Sequence, residues 1–119
     1  MKRIYICSSC RPENYEYVKQ LLKLYTTREM SIFHPEPQQL EEKTRYACVD
    51  IIEIQKADEI WLIGDYGRDC SWELGYAQAL QKTVCVFRCH INRAKLDDDW
   101  MLWPLMHACN VYEVPHESR

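Results

Sequence analysis

Residues 67–84 read GRDCSWELGYAQALQKTV, and they follow an apolar run, IWLI, at residues 60–63. The apolar run is typical of a strand that is buried on both faces of a sheet, and Gly64 closes it. Three apolar residues then recur at steps of three: Leu74, Ala77 and Leu80. This spacing follows one face of a helix. The stretch therefore predicts a buried strand, a turn and a helix.

Glu73 lies near the start of this predicted helix, at the carboxyl edge of the sheet. We expect it in the first turn, with Ser71 or Asp69 as the N-cap residue. The unpaired N–H groups and the positive dipole end of a first turn favour a charged carboxylate over a neutral acid. An ionised glutamate at such a junction is a candidate nucleophile. The alternative is a glutamate that only complements the helix dipole.

The rest of the chain repeats this alternation of strand and helix. Strands are predicted at residues 3–8, 30–33, 59–63, 83–87 and 110–114. Helices are predicted from Pro12 to Tyr25, over residues 38–56, within residues 67–84 and over residues 96–108. This order predicts a single α/β domain over residues 1–119, with a five-stranded parallel sheet, helices on both faces and a flavodoxin-like (Rossmann-like) strand order.

Ligands of such sheets bind beyond the carboxyl ends of the strands, so the loops at that edge contain the candidate site. Residues 8–11 (SSCR) follow the first strand, residues 34–37 (HPEP) the second, and residues 65–73 the third. Neither GxGxxG nor GxxxxGK[ST] occurs, which excludes the usual dinucleotide and triphosphate cradles. Side chains must therefore form the site.

Length and charge exclude several kinds of partner. The chain has 119 residues, enough for one domain, and 15 basic against 18 acidic residues give a net charge of −3. No basic cluster is present, so we expect no nucleic-acid partner. The N-terminus lacks the apolar core of a signal peptide, and no run reaches membrane-spanning length. We therefore expect a cytoplasmic protein with no membrane partner.

The seven cysteines do not fit a disulfide framework, because an odd number leaves one unpaired. Cys7 and Cys10 form a CSSC motif, for which redox chemistry is the alternative to ordinary buried thiols. The sequence offers no convincing equivalent of the cis-proline that faces a thioredoxin-like dithiol. Cys89 and His90 lack the spacing of a four-ligand zinc site. We expect neither a metal ion nor a cofactor.

Residues 69–84 have the pattern D-x-S-W-E-L-G-Y-A-x-A-L-x-K-x-V. This pattern resembles the core motif of the nucleoside 2-deoxyribosyltransferase family. Tyr5, in the segment RIYICS, matches a family tyrosine near the start of the first strand. Asp50, seven residues before Ala57, matches a family aspartate on the helix before the third strand. The resemblance covers the predicted sheet through its fourth strand.

The resemblance implies a double displacement at C1′ of a 2-deoxyribonucleoside. Glu73 would be the nucleophile and Tyr5 would orient it, while Asp50 or Asp69 would exchange a proton with the nucleobase. The proton donor needs a raised pKa, which crowding of several carboxylates provides. The ordinary alternatives are a solvated helix position for Asp50, a strand aromatic for Tyr5 and a helix cap for Asp69.

Two further interpretations stay open. A related branch of the family hydrolyses deoxynucleoside 5′-monophosphates and binds the phosphate through serines and a basic residue. The residues of this chain that match those phosphate-binding residues are Ser8, Ser9, Arg11 and Ser71. Many members place an aspartate six residues before the glutamate, where this chain has Gly67, so Asp65 and Asp69 are both candidates for substrate contact. The other interpretation is a non-catalytic nucleotide-sensing domain. The expected ligand is in each case a small nucleoside or nucleotide.

Six apolar residues lie close together near the C-terminus: Trp100, Met101, Leu102, Trp103, Leu105 and Met106. One face of a short helix cannot bury them all, so we expect a homodimer or a larger homo-oligomer. The alternative is that Pro104 breaks the segment and both halves fold inward. Trp72, like Trp100 and Trp103, fits a core position better than a base-stacking position.

Overall fold

The computed structural model describes residues 1–37, 43–99, 102 and 110–115. The strands are β1 (Lys2–Cys7), β2 (Met30–Phe33), β3 (Glu59–Ile63), β4 (Thr83–Arg88) and β5 (Asn110–Glu113). The helices are α1 (Pro12–Tyr25), α2 (Lys43–Lys56), α3 (Arg68–Ala79) and α4 (Arg93–Asp98). All five predicted strands are therefore confirmed. In the ranges described, no helix has both the length and the apolar character needed to cross a membrane.

The five strands pair in parallel, in the order β2-β1-β3-β4-β5. β1 and β3 lie side by side, with Tyr5 opposite Ile60 and Cys7 opposite Leu62. β3 and β4 are buried along almost their whole length, as strands covered on both faces must be. This arrangement confirms the predicted flavodoxin-like order in a single α/β domain.

The two faces of the sheet carry separate hydrophobic clusters, because alternate strand residues point in opposite directions. On one face, Val18 and Leu21 of α1 pack with Ile4 and Ile6 of β1. On the other face, the buried residues of α2 and α3 pack with the alternate residues of β1: Ile54, Leu74, Ala77, Tyr5 and Cys7. Burial of each large apolar side chain contributes about 2 kcal/mol. Helices therefore cover both faces, and Tyr5 and Cys7 face α2 and α3.

The start of α3 differs from the prediction. Gly67, in extended conformation, is the N-cap residue, and no side chain caps the helix. The expectation that Ser71 or Asp69 is the N-cap was wrong: both lie inside α3, where the Ser71 hydroxyl donates to the Gly67 carbonyl at 3.4 Å. The helix begins at Arg68, so Glu73 is its sixth residue. Glu73 thus lies in the second turn, beyond the free N–H groups of the first.

The ends of other elements also differ. β1 ends at Cys7, β4 extends to Arg88, and β5 ends at Glu113. The last helix was predicted over residues 96–108, but α4 begins at Arg93 and ends at Asp98. It starts earlier because the buried side chain of Asn92 accepts the Cys89 N–H at 2.9 Å and fixes the preceding turn.

Parts of two predictions lie outside the described residues. They are the beginning of the predicted second helix, at residues 38–42, and the end of the predicted last helix, at residues 103–108. Of the apolar cluster at residues 100–106, only Leu102 is described, and it is buried against the core.

Gly64 and Asn14 fix the loops that follow β1 and β3. Gly64 has a φ of +81°, and a Cβ there would clash with the Val18 side chain and lie 2.8 Å from Asn14 Oδ1. Glycine is therefore required at this turn. The buried Asn14 amide donates to the Ser8 hydroxyl at 2.6 Å and accepts the Asp65 N–H at 2.8 Å. These bonds hold the two loops together at the carboxyl edge of the sheet.

Candidate active site

A cavity of about 650 Å³ opens at the carboxyl edge of the sheet, between β1, α2 and α3. Its wall carries the Tyr5 hydroxyl and three carboxyl groups, those of Asp50, Asp69 and Glu73. Other lining residues come from the loop after β1 and from the first turns of α3: Ser8, Ser9, Cys10, Arg68 and Trp72. The fold thus brings together the four residues predicted to act in catalysis.

Glu73 is held from β1 by two donors. The Tyr5 hydroxyl donates to Glu73 Oε2 at 3.0 Å. The Cys7 sulfur lies 3.5 Å from Glu73 Oε1. Tyr5 and Cys7 are two residues apart on one strand, so the alternation of the strand points both at the same carboxyl group.

The pKa of Glu73 is raised to about 7, mainly by burial and to a smaller extent by the negative charges of Asp50 and Asp69. The hydrogen bonds from Tyr5 and Cys7 act in the opposite direction and lower this pKa. The expectation of a carboxylate kept ionised by a first-turn dipole was wrong, because Glu73 lies one turn further along α3. We predicted that crowding of carboxyl groups raises the pKa of the group that donates a proton to the nucleobase. In the structure, the group whose pKa is raised is Glu73, the predicted nucleophile.

Tyr5 is a fixed hydrogen-bond donor rather than an acid. Its side chain is almost fully buried, and its ring stacks on Phe33 with a centroid separation of 5.6 Å. Burial, together with the nearby charge of Glu73, raises the pKa of Tyr5 far above its usual value. The hydroxyl therefore keeps its proton at any pH at which the protein is folded. Its position agrees with the predicted orienting role.

Asp50 and Asp69 approach the cavity from different elements. Asp50 lies on α2, and Asp69 is the second residue of α3. Both line the cavity with Glu73, and the negative charge of each raises the Glu73 pKa. They are thus close enough to act on the same ligand from two directions. Each stays a candidate proton donor.

The residues predicted to bind phosphate are only partly brought together. Ser8 and Ser9 line the cavity, and the Ser8 hydroxyl accepts a bond from Asn14 and donates to the Asp65 carbonyl at 3.4 Å. Arg11 is the exposed N-cap residue of α1 and does not line the cavity, nor does Ser71. The Asp65 carboxylate also lies elsewhere, in an ion pair with Lys95 at 2.8 Å.

The lining residues that were not predicted as site residues include Arg68, Cys10 and Trp72. Arg68 places a cation at the cavity wall. Cys10, in the loop after β1, also lines the cavity. Trp72 was interpreted as a core residue, which was wrong: its side chain is 57% exposed, lines the cavity and stacks on Tyr76 at 5.3 Å. The spacing of Trp72 and Tyr76, four residues apart on one helix, was the available signal.

Cys7 and Cys10 offer no reactive thiolate beside Glu73. Burial raises the pKa of Cys10 to about 11, and it raises that of Cys7 well above its ordinary value. A high pKa makes a thiol a poor nucleophile at neutral pH. Within the part of the chain that the structure describes, no three His, Cys, Asp or Glu side chains are arranged to hold a metal ion.

Comparison of the sequence with models of known protein families gives no match, and comparison with curated proteins finds no significant similarity. The function is therefore inferred from the cavity and from the motif at residues 69–84.

Proposed function

We propose that this protein cleaves or transfers the N-glycosidic bond of 2′-deoxyribonucleosides or their 5′-monophosphates, with Glu73 as the nucleophile. One observation carries the proposal: the Glu73 carboxyl group is oriented by the Tyr5 hydroxyl at 3.0 Å in a cavity that Asp50 and Asp69 also line. An oriented carboxylate with a second carboxyl group nearby is what a double displacement at a sugar carbon requires.

The proposed reaction has two steps. In the first, ionised Glu73 attacks C1′, the bond from C1′ to the base nitrogen breaks, and Asp50 or Asp69 gives a proton to the departing base. The product is a glycosyl ester of Glu73. In the second step another base or a water molecule attacks C1′, the ester bond breaks, and the carboxylate that gave its proton removes one from the incoming group. Two inversions leave the configuration at C1′ unchanged.

The pKa of Glu73 sets the pH at which the first step proceeds. Only the ionised carboxylate can attack, and with a pKa of about 7 it is the minor form in mildly acidic solution. The contribution of Glu73 to the rate of the first step should therefore rise with pH and level off above neutrality. A poorly solvated carboxylate is also more reactive than one in water, because fewer hydrogen bonds must be broken as it attacks.

Trp72 supplies a surface for the nucleobase. Its indole ring lines the cavity and stacks on Tyr76, whose hydroxyl accepts a hydrogen bond from Gln55 at 2.7 Å. Stacking of a base on an aromatic ring contributes about 1–3 kcal/mol and tolerates different bases. Trp72 is therefore suited to hold a base next to the carboxyl group that follows it in sequence.

The test is incubation with deoxyadenosine, deoxycytidine and their 5′-monophosphates, with and without free adenine. Exchange of bases would indicate a transferase, and release of free base with sugar or sugar phosphate would indicate a hydrolase. Glu73→Gln is the control, because it keeps the shape of the side chain without the charge. Binding without turnover by the wild-type protein would contradict the proposal and favour a non-catalytic sensor.

We also propose that the working unit is a homodimer or a larger homo-oligomer. Val49 and Ile52 are exposed apolar residues of α2, 39% and 47% accessible. The same helix contributes Ala47 and Ile51 to the cavity wall. Contact of this surface with a second copy would bury apolar area and help to exclude water from the reaction.

A cytoplasmic location is part of the proposal. The six cysteines in the described residues are all free, and one of them, Cys48, is exposed. Exposed free thiols persist in the reducing cytosol, whereas oxidising compartments convert them to disulfides.

A further inference from the structure

The Glu73 carboxyl group has a second donor that the double displacement does not itself require. Cys7 is completely buried and lies two residues after Tyr5 on β1. Its sulfur lies 3.5 Å from Glu73 Oε1, whereas the Tyr5 hydroxyl lies 3.0 Å from Oε2. Each carboxyl oxygen therefore has its own donor, and the two donors come from the same strand.

The Cys7 thiol has one proton and two neighbouring acceptors. Its sulfur lies 3.4 Å from the Cys70 carbonyl oxygen and 3.5 Å from Glu73 Oε1. An ionised carboxylate is the stronger acceptor, so the proton turns toward Glu73 when that group is charged. When Glu73 is neutral or esterified, the Cys70 carbonyl can accept the same proton. The Cys7 thiol therefore has an acceptor in either state.

We propose that Cys7 is a positioning residue, whose thiol holds Glu73 Oε1 while Glu73 is ionised and turns to the Cys70 carbonyl oxygen once Glu73 carries the sugar. The consequence for reaction rate rests on the proposed function. The contact itself is testable without any substrate.

Several other titratable or charged groups face Glu73 from the surrounding elements: Tyr5 on β1, Cys10 in the loop after β1, Asp50 on α2, and Arg68, Asp69 and Cys70 on α3. They are unchanged when Cys7 alone is replaced. The pKa of Cys7 is held well above its ordinary value by burial, so its thiol stays protonated and is a donor throughout the pH range in which Glu73 titrates. Loss of this donor should raise the pKa of Glu73.

The direct test is a pH titration of the Glu73 side-chain carboxyl carbon by NMR, with the signal assigned through Glu73→Gln. In Cys7→Ala the midpoint should move up by about one pH unit, since a hydrogen bond to the charged form has been lost. In Cys7→Ser the hydroxyl is a stronger donor than the thiol, so the midpoint should fall below the wild-type value. Cys89→Ala removes another fully buried thiol, from the opposite hydrophobic cluster, and should leave the midpoint unchanged.

The kinetic readout is the pH profile of kcat/KM for a deoxynucleoside. Cys7→Ala should lose about tenfold at pH 6 but less than threefold at pH 9, whereas a purely structural defect would lower the profile equally at every pH. If Cys7→Ala does not fold, the downward shift in Cys7→Ser alone decides. Equal Glu73 midpoints in wild type and in the folded variants would overturn the proposal. If the wild type turns over no nucleoside, the proposed function fails, while the NMR titration still decides the role of Cys7.

Discussion

Glu73→Gln should make the protein more stable above neutral pH and at the same time remove its activity. In the folded protein the pKa of Glu73 is raised to about 7 by burial, against a usual value of 4.5. Below about pH 4.5 the group is protonated in the folded and unfolded chains alike. Between about 4.5 and 7 the unfolded chain releases a proton that the folded chain keeps, so the free energy of unfolding falls as pH rises.

The size of this effect follows from the two pKa values. One pKa unit corresponds to about 1.4 kcal/mol, so the ionised form of Glu73 destabilises the fold by roughly 3 kcal/mol above pH 7. Glutamine has nearly the same shape and does not titrate, and its carbonyl oxygen can still accept the bond from Tyr5. The difference in stability between variant and wild type should therefore be small at pH 4.5 and reach about 3 kcal/mol at pH 8.

The assay is urea unfolding of both proteins at several pH values, with the difference in unfolding free energy plotted against pH. Titration of groups common to both chains cancels in this difference. Glu29→Gln, at an exposed turn position, is the control for removing one negative charge. A difference that stays flat from pH 4.5 to pH 8 would refute the inference that the Glu73 charge is buried at a cost. Base exchange or hydrolysis by Glu73→Gln should be reduced by several orders of magnitude, and unchanged turnover would refute its assignment as nucleophile.

Three other predictions concern orientation, charge and assembly. Tyr5→Phe should lower kcat about tenfold to a hundredfold and shift the rising limb of the pH profile to higher pH, because Glu73 loses the donor at 3.0 Å. An equal loss of activity at all pH values would contradict this prediction. Arg68→Ala should reduce kcat/KM for a monophosphate about tenfold but hardly change it for the nucleoside, with the exposed Arg11→Ala as the matched control. Ile52→Glu should lower the molar mass measured by light scattering to that of a monomer, whereas Leu24→Glu, at a 76% exposed position of α1, should leave it unchanged. A wild-type monomer with full activity would show that one chain completes the site.

Apolar runs were enough to predict the sheet. Residues 59–63 and 83–87 are almost wholly apolar, and both became central strands because only a doubly covered position buries both sides of such a run. Helix ends were harder to predict, because local side-chain signals compete with the path that the chain must take. Asp69 and Ser71 are good capping residues, but the chain is helical already from Arg68, with Gly67 as the N-cap residue. Leu80, predicted on the apolar face of the helix, is instead its exposed C-cap residue.

The site was predictable where strand alternation and the motif pointed to the same residues. Tyr5 and Glu73 are 68 residues apart, and only the resemblance to a known motif connected them before the fold was seen. The sequence did not exclude Asp65 as a substrate-binding residue, because its ion-pair partner, Lys95, lies on α4, far away in the sequence. Trp72 was misplaced for a related reason. Its exposure depends on which face of α3 meets the sheet, and the burial of Leu74 and Ala77 shows that Trp72 lies outside that face.

The environment of Glu73 itself supports the proposal that this residue serves a reaction rather than the fold. A structural glutamate at this strand-to-helix junction would lie in the first turn, where the free N–H groups stabilise its charge. Glu73 lies one turn further on, and ionising it there destabilises the fold by roughly 3 kcal/mol, a substantial share of the 5–15 kcal/mol that holds a typical domain together. A leucine or a glutamine at this position would avoid that loss. A partly buried acid whose ionised form weakens the fold, oriented by Tyr5 and open to a cavity of about 650 Å³, is what a reactive carboxylate requires.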